Sequence, residues 1–142
     1  MAKVIKLKDD TYLYGTIIES GSNNSGDYIK FSDGTLIQKG YADKTNFSSD
    51  TDYYSTVQGI NWYRSNNAST IYFPIAFINT NYRISLTVDN GITGTRIVIP
   101  RINSKYKNGF NAQLMSVEKW TTSGVAYQNL NGVEYLAIGR WK

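Results

Sequence analysis

Polar and apolar residues alternate along Arg83-Ile84-Ser85-Leu86-Thr87-Val88-Asp89, so Ile84, Leu86 and Val88 share one face. A period of two is that of a strand with one side on a core. Asn90-Gly91 follows and is a favoured turn dipeptide. Residues 95–99 are β-branched almost throughout. Pro100 has no N–H to give to a ladder, which predicts that this strand ends or runs at a sheet edge there. Residues 109–115 alternate again, with Phe110, Ala112 and Leu114 on one side, and residues 133–141 read as a further strand. No window carries a capped helical stripe. Short strands parted by Gly, Asn, Asp and Ser turns predict an all-β sandwich or barrel.

Two segments echo each other. Ile5-Lys6-Leu7-Lys8-Asp9-Asp10-Thr11-Tyr12-Leu13 has the outline of Ile29-Lys30-Phe31-Ser32-Asp33-Gly34-Thr35-Leu36-Ile37: strand, acidic turn, strand. Both read as hairpins. Between them residues 19–26, Glu-Ser-Gly-Ser-Asn-Asn-Ser-Gly, read as a polar hinge. This divides the chain into an N-terminal hairpin, residues 1–20, and a main body, residues 21–142. Residues 41–68, rich in Asp, Asn, Ser, Tyr and Trp, read as an irregular stretch; its aromatics argue against disorder.

Composition narrows the chemistry. Of the 142 residues, charged types make up 18% and aromatics 14%, twelve of them Tyr. A polar, weakly charged, tyrosine-rich surface suits neutral polar ligands; sugars offer hydroxyls to amides and apolar faces to rings. The net charge of +4 is not gathered into a basic face, so nucleic acid is not an expected partner. There is no Cys, which excludes disulfides, thiolate metal sites and a Cys nucleophile, and no His, which removes the usual general base and the commonest transition-metal ligand. No calcium-loop spacing occurs, and no metal or cofactor is expected. No stretch approaches a membrane span, and the first eight residues alternate with charge too often for a signal peptide. Synthesis in a cytoplasm is the expectation.

The segment Gly26-Asp27-Tyr28-Ile29-Lys30-Phe31-Ser32-Asp33-Gly34-Thr35-Leu36-Ile37-Gln38 resembles the opening of phage tail-fibre C-terminal domains. Three more segments follow in that family's order: Ile71-Tyr72-Phe73-Pro74-Ile75-Ala76-Phe77, Asn81-Tyr82-Arg83-Ile84-Ser85-Leu86-Thr87, and Tyr135-Leu136-Ala137-Ile138-Gly139-Arg140-Trp141-Lys142. The family is similar in turn to H-type lectins. The resemblance implies a six-stranded antiparallel β-sandwich in a homotrimer, binding host cell-surface polysaccharide or glycoconjugate at clefts between subunits. It places the chain in the virion, at a fibre tip, with other tail proteins met through the N-terminal segment. Two departures stand out: Lys39 sits where the family often has an aromatic, and the His of many H-type lectin sites has no counterpart.

The same resemblance nominates site residues. Arg96 falls on the strand whose leading Arg reaches the sugar in the lectins; its other reading is an ordinary surface Arg. Glu118 and Trp120 fall near the lectins' aromatic–polar pair; the alternatives are a solvated loop carboxylate and a core anchor. Asp43, with Tyr41 and Asn46 beside it, lies in the loop that supplies an acid in the lectins. Trp62, within Asn61-Trp62-Tyr63-Arg64, is a separate candidate whose other reading is a capping strand. Phe73, Pro74, Phe77, Ile138 and Trp141 are assigned to core or subunit contact.

Three functions compete. A binding module is favoured, with avidity compensating for weak single sites. A polysaccharide hydrolase would need paired carboxylates; Asp43, Asp50 and Asp52 supply the inventory but no catalytic motif accompanies them, so the chain is expected not to be an enzyme. A trimerisation or assembly cap without receptor affinity is the third.

Overall fold

Strand alternation, carried through ten short segments, builds two antiparallel sheets. The structure is a computed structural model that describes residues 15–47, 52–65, 70–90, 98–117 and 130–142. In chain order the strands are β1 (Ile17–Asn23), β2 (Gly26–Phe31), β3 (Thr35–Asp43), β4 (Asp52–Val57), β5 (Ile60–Arg64), β6 (Ile71–Tyr72), β7 (Arg83–Asn90), β8 (Val98–Tyr106), β9 (Gly109–Ser116) and β10 (Leu130–Arg140). One 3-10 turn, η1 (Lys44–Asn46), follows β3. The first sheet runs β1-β2-β3-β10-β7. In the second, β9 is flanked by β8 on one side and by β5 and β6 on the other, and β4 pairs with β5.

The all-β expectation is met, with ten strands among the described residues where the resemblance implied six. The extra strands come from stretches read as irregular. Residues 19–26, expected as a hinge, are the end of β1, a two-residue turn and the start of β2, paired from Ile17↔Phe31 to Asn23↔Gly26. Residues 41–68 contain the end of β3, η1 and the β4–β5 hairpin. Alternation is masked there because none of the described side chains of β4 and β5 is fully buried and a bulge falls between Tyr53 and Ser55. Its tip, Gln58-Gly59, has both residues at positive φ, the geometry of a tight hairpin turn. The hairpin read at residues 29–37 is β2, its turn and the start of β3. The strand through Pro100 is β8, paired with β9 alone, so the proline sits on an edge. The segment 5–13, and with it most of the N-terminal hairpin assigned to residues 1–20, lies outside the described residues.

Every second residue of the central strands faces inward. Leu36, Gln38 and Ala42 do so from β3, Phe110, Ala112 and Leu114 from β9, and Val133, Tyr135 and Ala137 from β10. Ile84, Leu86 and Val88 pack against them from β7, as their alternation predicted. Between the sheets sits an aromatic cluster. The Phe73 ring meets Phe77, Tyr82, Phe110 and Tyr135 at centroid distances of 5.1–5.6 Å, mostly edge to face. Such contacts add to the burial of large apolar area. Phe73 and Phe77 are thus core; Trp141 is half-buried against the core, and Ile138 is exposed on the outer face.

Residues 73–77 belong to no strand, yet they must enter the core without orphaning their backbone. The buried Gln38 solves this with its amide, accepting from Ile75 N (2.8 Å) and donating from Nε2 to Ile75 O (2.9 Å). A side-chain amide thereby replaces a missing ladder rung. Replacing it by an isosteric apolar residue leaves two backbone groups unpaired. We expect Gln38→Leu to lower stability by roughly 1–3 kcal/mol, read as an earlier midpoint in denaturant; an unmoved midpoint would show that residues 73–77 are held by packing alone.

Candidate functional site

The β1–β2 turn leans over the first sheet and leaves a trough. Gly26 makes this possible: its φ of 133° is open to glycine, and a Cβ there would stand 2.0 Å from Lys39 O. The turn is braced locally. Asn23 Oδ1 accepts from Ser25 N (2.9 Å), and Asn23 Nδ2 donates to Pro74 O (3.2 Å). Beneath it, Tyr135 rises from β10, paired with Gly40 of β3, and donates its hydroxyl to Ser25 O (2.8 Å).

The trough has two parts that meet at Asn24, Ser25 and Tyr41. The larger, about 520 Å³, runs between the turn and the strands below, with Asp27, Lys39, Glu134 and Tyr135 on its walls. The smaller, about 240 Å³, continues past Tyr41 to Asn46 and Tyr72. Tyr41 is 47% exposed and Tyr72 is 56% exposed, so both offer ring area to solvent. Tyr41 is held in place from below, because its ring lies across Gly132, where a Cβ would come within 2.5 Å of it. The walls are polar and charged. Ser22 Oγ donates to Asp27 Oδ1 (2.6 Å), and Lys39 Nζ lies 3.3 Å from Asp27 Oδ2. The Ser22 hydroxyl first, then Lys39, hold the Asp27 carboxyl below its ordinary range. Tyr41 is pushed up, first by partial burial and then by Asp89, Asp43 and Glu134. Its hydroxyl is therefore a neutral donor at physiological pH. A shallow groove of amides, hydroxyls and the Lys39–Asp27 ion pair beside exposed rings can hydrogen-bond and stack; no group of three or more His, Cys, Asp or Glu suited to a metal occurs among the described residues.

Of the residues nominated from sequence, Tyr41 and Asn46 line this trough together. Asp43 adjoins it but has a structural duty: Oδ1 accepts from Thr45 N (2.9 Å) and caps η1, while its carbonyl accepts from Asn46 Nδ2 (3.0 Å). Trp62 is half-buried on β5 of the other sheet and is not among the trough's lining residues. Arg96, Glu118 and Trp120 lie outside the described residues. Asp89 and Asp43 both pair with Gly132, so β7 and β3 end at one pole of the sheet. Reading the sequence missed Ser22, Asn23, Asn24 and Ser25, taken as hinge, and Tyr72, which was quoted only as part of a family segment. The density of Asn and Ser before Gly26 was the available signal, since such residues brace turns by side-chain bonds.

The chain is thus an all-β domain of two antiparallel sheets, with a shallow polar trough flanked by tyrosines. Residues 30–140 match the family described as "Putative tail fiber protein gp53-like, C-terminal", and the chain belongs to that family. It is accordingly a phage tail-fibre domain, and the suggested place for it is the virion. No curated protein matches the chain.

Asp43 provides a test of cap against ligand. The Thr45 amide first, and its hydroxyl second, hold the Asp43 carboxyl below its ordinary value of 3.8. A lowered carboxylate stabilises the fold above its unfolded pKa, and that contribution is lost as pH falls through the folded value. We expect Asp43→Asn, which keeps the accepting oxygen, to retain most of the thermal stability and to flatten its loss below pH 4. Asp43→Ala should melt earlier at every pH. Equal melting temperatures for all three proteins would remove the capping role.

Proposed function

We propose that this domain recognises host cell-surface glycans for a phage or prophage tail fibre, binding them in the trough beneath the β1–β2 turn. The observation that carries this reading is the pairing of exposed Tyr41 and Tyr72 with the amide and hydroxyl walls of Asn23, Asn24, Ser25 and Asn46. Rings supply apolar area at low entropic cost, and amides match sugar hydroxyls. Membership of a tail-fibre family supports an encounter with a bacterial surface. The similarity to H-type lectins noted from sequence belongs to this proposal.

The function is binding without turnover. Asp43, one of the carboxylates considered for hydrolysis, is engaged in its cap. We also propose a homotrimer, with the trough near a subunit boundary. The outer face of the first sheet supports this. Ile29, Ile37 and Ile138 form a direct cross-strand row, with Leu136 beside it, and Leu136 and Ile138 are exposed. The adjoining rows hold Lys39 and Asp27, which line the trough. A second copy seated on the apolar row would therefore leave the trough at the rim of the contact. Avidity among three shallow sites would then offset weak single-site affinity.

Two measurements test these readings. On a panel of host-derived oligosaccharides, the protein should bind a subset and release no new reducing ends. Tyr41→Ala should weaken that binding about tenfold, in line with the loss of one stacking ring, about 1–1.5 kcal/mol. Unchanged binding in Tyr41→Ala would move the site elsewhere. Light scattering on a sizing column should return three chains, and Ile138→Glu should return one; a wild-type monomer at high concentration would remove the boundary site.

A further inference from the structure

The outer face of the second sheet carries a second constellation, on strands that do not line the trough. Tyr54 occupies the bulge in β4, a device that re-aims a side chain. Its ring is 42% exposed. Two guanidiniums flank it: Cζ of Arg64, on β5, lies 5.4 Å from the ring centroid, and Cζ of Arg101, on β8, lies 5.8 Å away. The β4–β5 hairpin and the distant strand β8 thus converge on one ring. β9 runs between them, with Met115 paired to Arg64 on one side and to Ile99 on the other. Strand alternation puts Trp62 with Arg64, and exposed Ile99 with Arg101, on this same outward side.

The charge of this face differs from that of the trough. On this side stand the guanidiniums of Arg64 and Arg101, whereas Lys105 of β8 turns the other way and donates to Tyr82 O. Around Tyr41, by contrast, stand Asp43, Asp89 and Glu134. A guanidinium presents a planar fork that fits a carboxylate or phosphate with two parallel hydrogen bonds. An aromatic face beside that fork suits the apolar side of a sugar ring.

We propose that Tyr54, Arg64 and Arg101, with Trp62 adjoining, form a second binding surface, for an anionic saccharide. The rings hold the sugar, and the guanidiniums hold its carboxylate or phosphate substituent. This extends the glycan-recognition reading to the opposite sheet, yet does not require the trough to bind anything.

The test is affinity electrophoresis of the full chain in gels of polygalacturonate, a phosphate-bearing polysaccharide, inorganic polyphosphate or neutral dextran. Retention is expected on polygalacturonate, on the phosphate polysaccharide or on both, the two gels separating the two substituents, and it should weaken as salt rises. Arg101→Ala and Tyr54→Ala should each cut it at least fivefold. Tyr54→Phe should keep it, and Arg101→Lys should fall between. Lys107→Ala removes the same charge from the β8–β9 turn and should leave retention unchanged. Neutral oligosaccharides that bind in the trough should still bind both patch variants, so failure at one site is distinguishable from failure at the other. Equal retention on polyphosphate, equal loss in Lys107→Ala and Arg101→Ala, or no retention on either anionic polysaccharide would overturn the proposal.

Discussion

The hydroxyl of Tyr135 ties the interior of this domain to the trough on its surface. The ring belongs to the core, packed on Phe73 and Phe110, and burial pushes its pKa well above the ordinary tyrosine value. It therefore remains a hydrogen-bond donor at any pH the protein is expected to meet. That donor meets Ser25 O in the β1–β2 turn, 110 residues away in sequence. The turn forms one wall of the trough, so the shape of the groove depends on how the aromatic cluster packs. Gln38 performs the same service on the neighbouring strand, fixing residues 73–77 against which Asn23 also leans. Core and site are thus joined through two buried polar groups, each satisfied by backbone. A polar group buried in this way is costly to leave unpaired, so the arrangement has little freedom to drift.

From that constraint follows a division of labour between the sheets. The first has β3 at its middle and presents, row by row, an apolar strip, a Lys39–Asp27 pair and, with Tyr72 of β6, the tyrosine-lined trough. The second presents aromatic and cationic side chains around Tyr54. If both surfaces bind glycans as proposed, several weak contacts along one polymer would multiply. Neither surface needs a deep cleft, which accords with a domain whose tertiary organisation is spent on holding turns and edges.

The strands were legible where one face is buried and the other wet. Ile84, Leu86 and Val88, or Phe110, Ala112 and Leu114, announce their register by alternation alone. The β4–β5 hairpin was not legible, because its bulge at Tyr54 breaks the period and its tip exposes Val57 and Ile60. The β1–β2 turn was read as a hinge because Ser, Asn and Gly signal both flexibility and bracing; only the long-range bonds to Pro74 and Tyr135 decide between them. Tyr41 and Asn46 were found through resemblance, while their partners in the trough come from strands that no local pattern connects. Asp43 illustrates the converse, since a loop acid beside a candidate site turned out to cap a 3-10 turn.

The central claim is that glycans enter the trough under the β1–β2 turn. Amide chemical shifts, followed by NMR as a bound oligosaccharide is titrated into the labelled protein, test it most directly. The account predicts that the largest shifts fall on residues 22–27, Gly40, Tyr41, Asn46 and Gly132, with the rest of the first sheet little moved. Shifts confined to residues outside this set, with the trough amides unmoved at saturation, would contradict it.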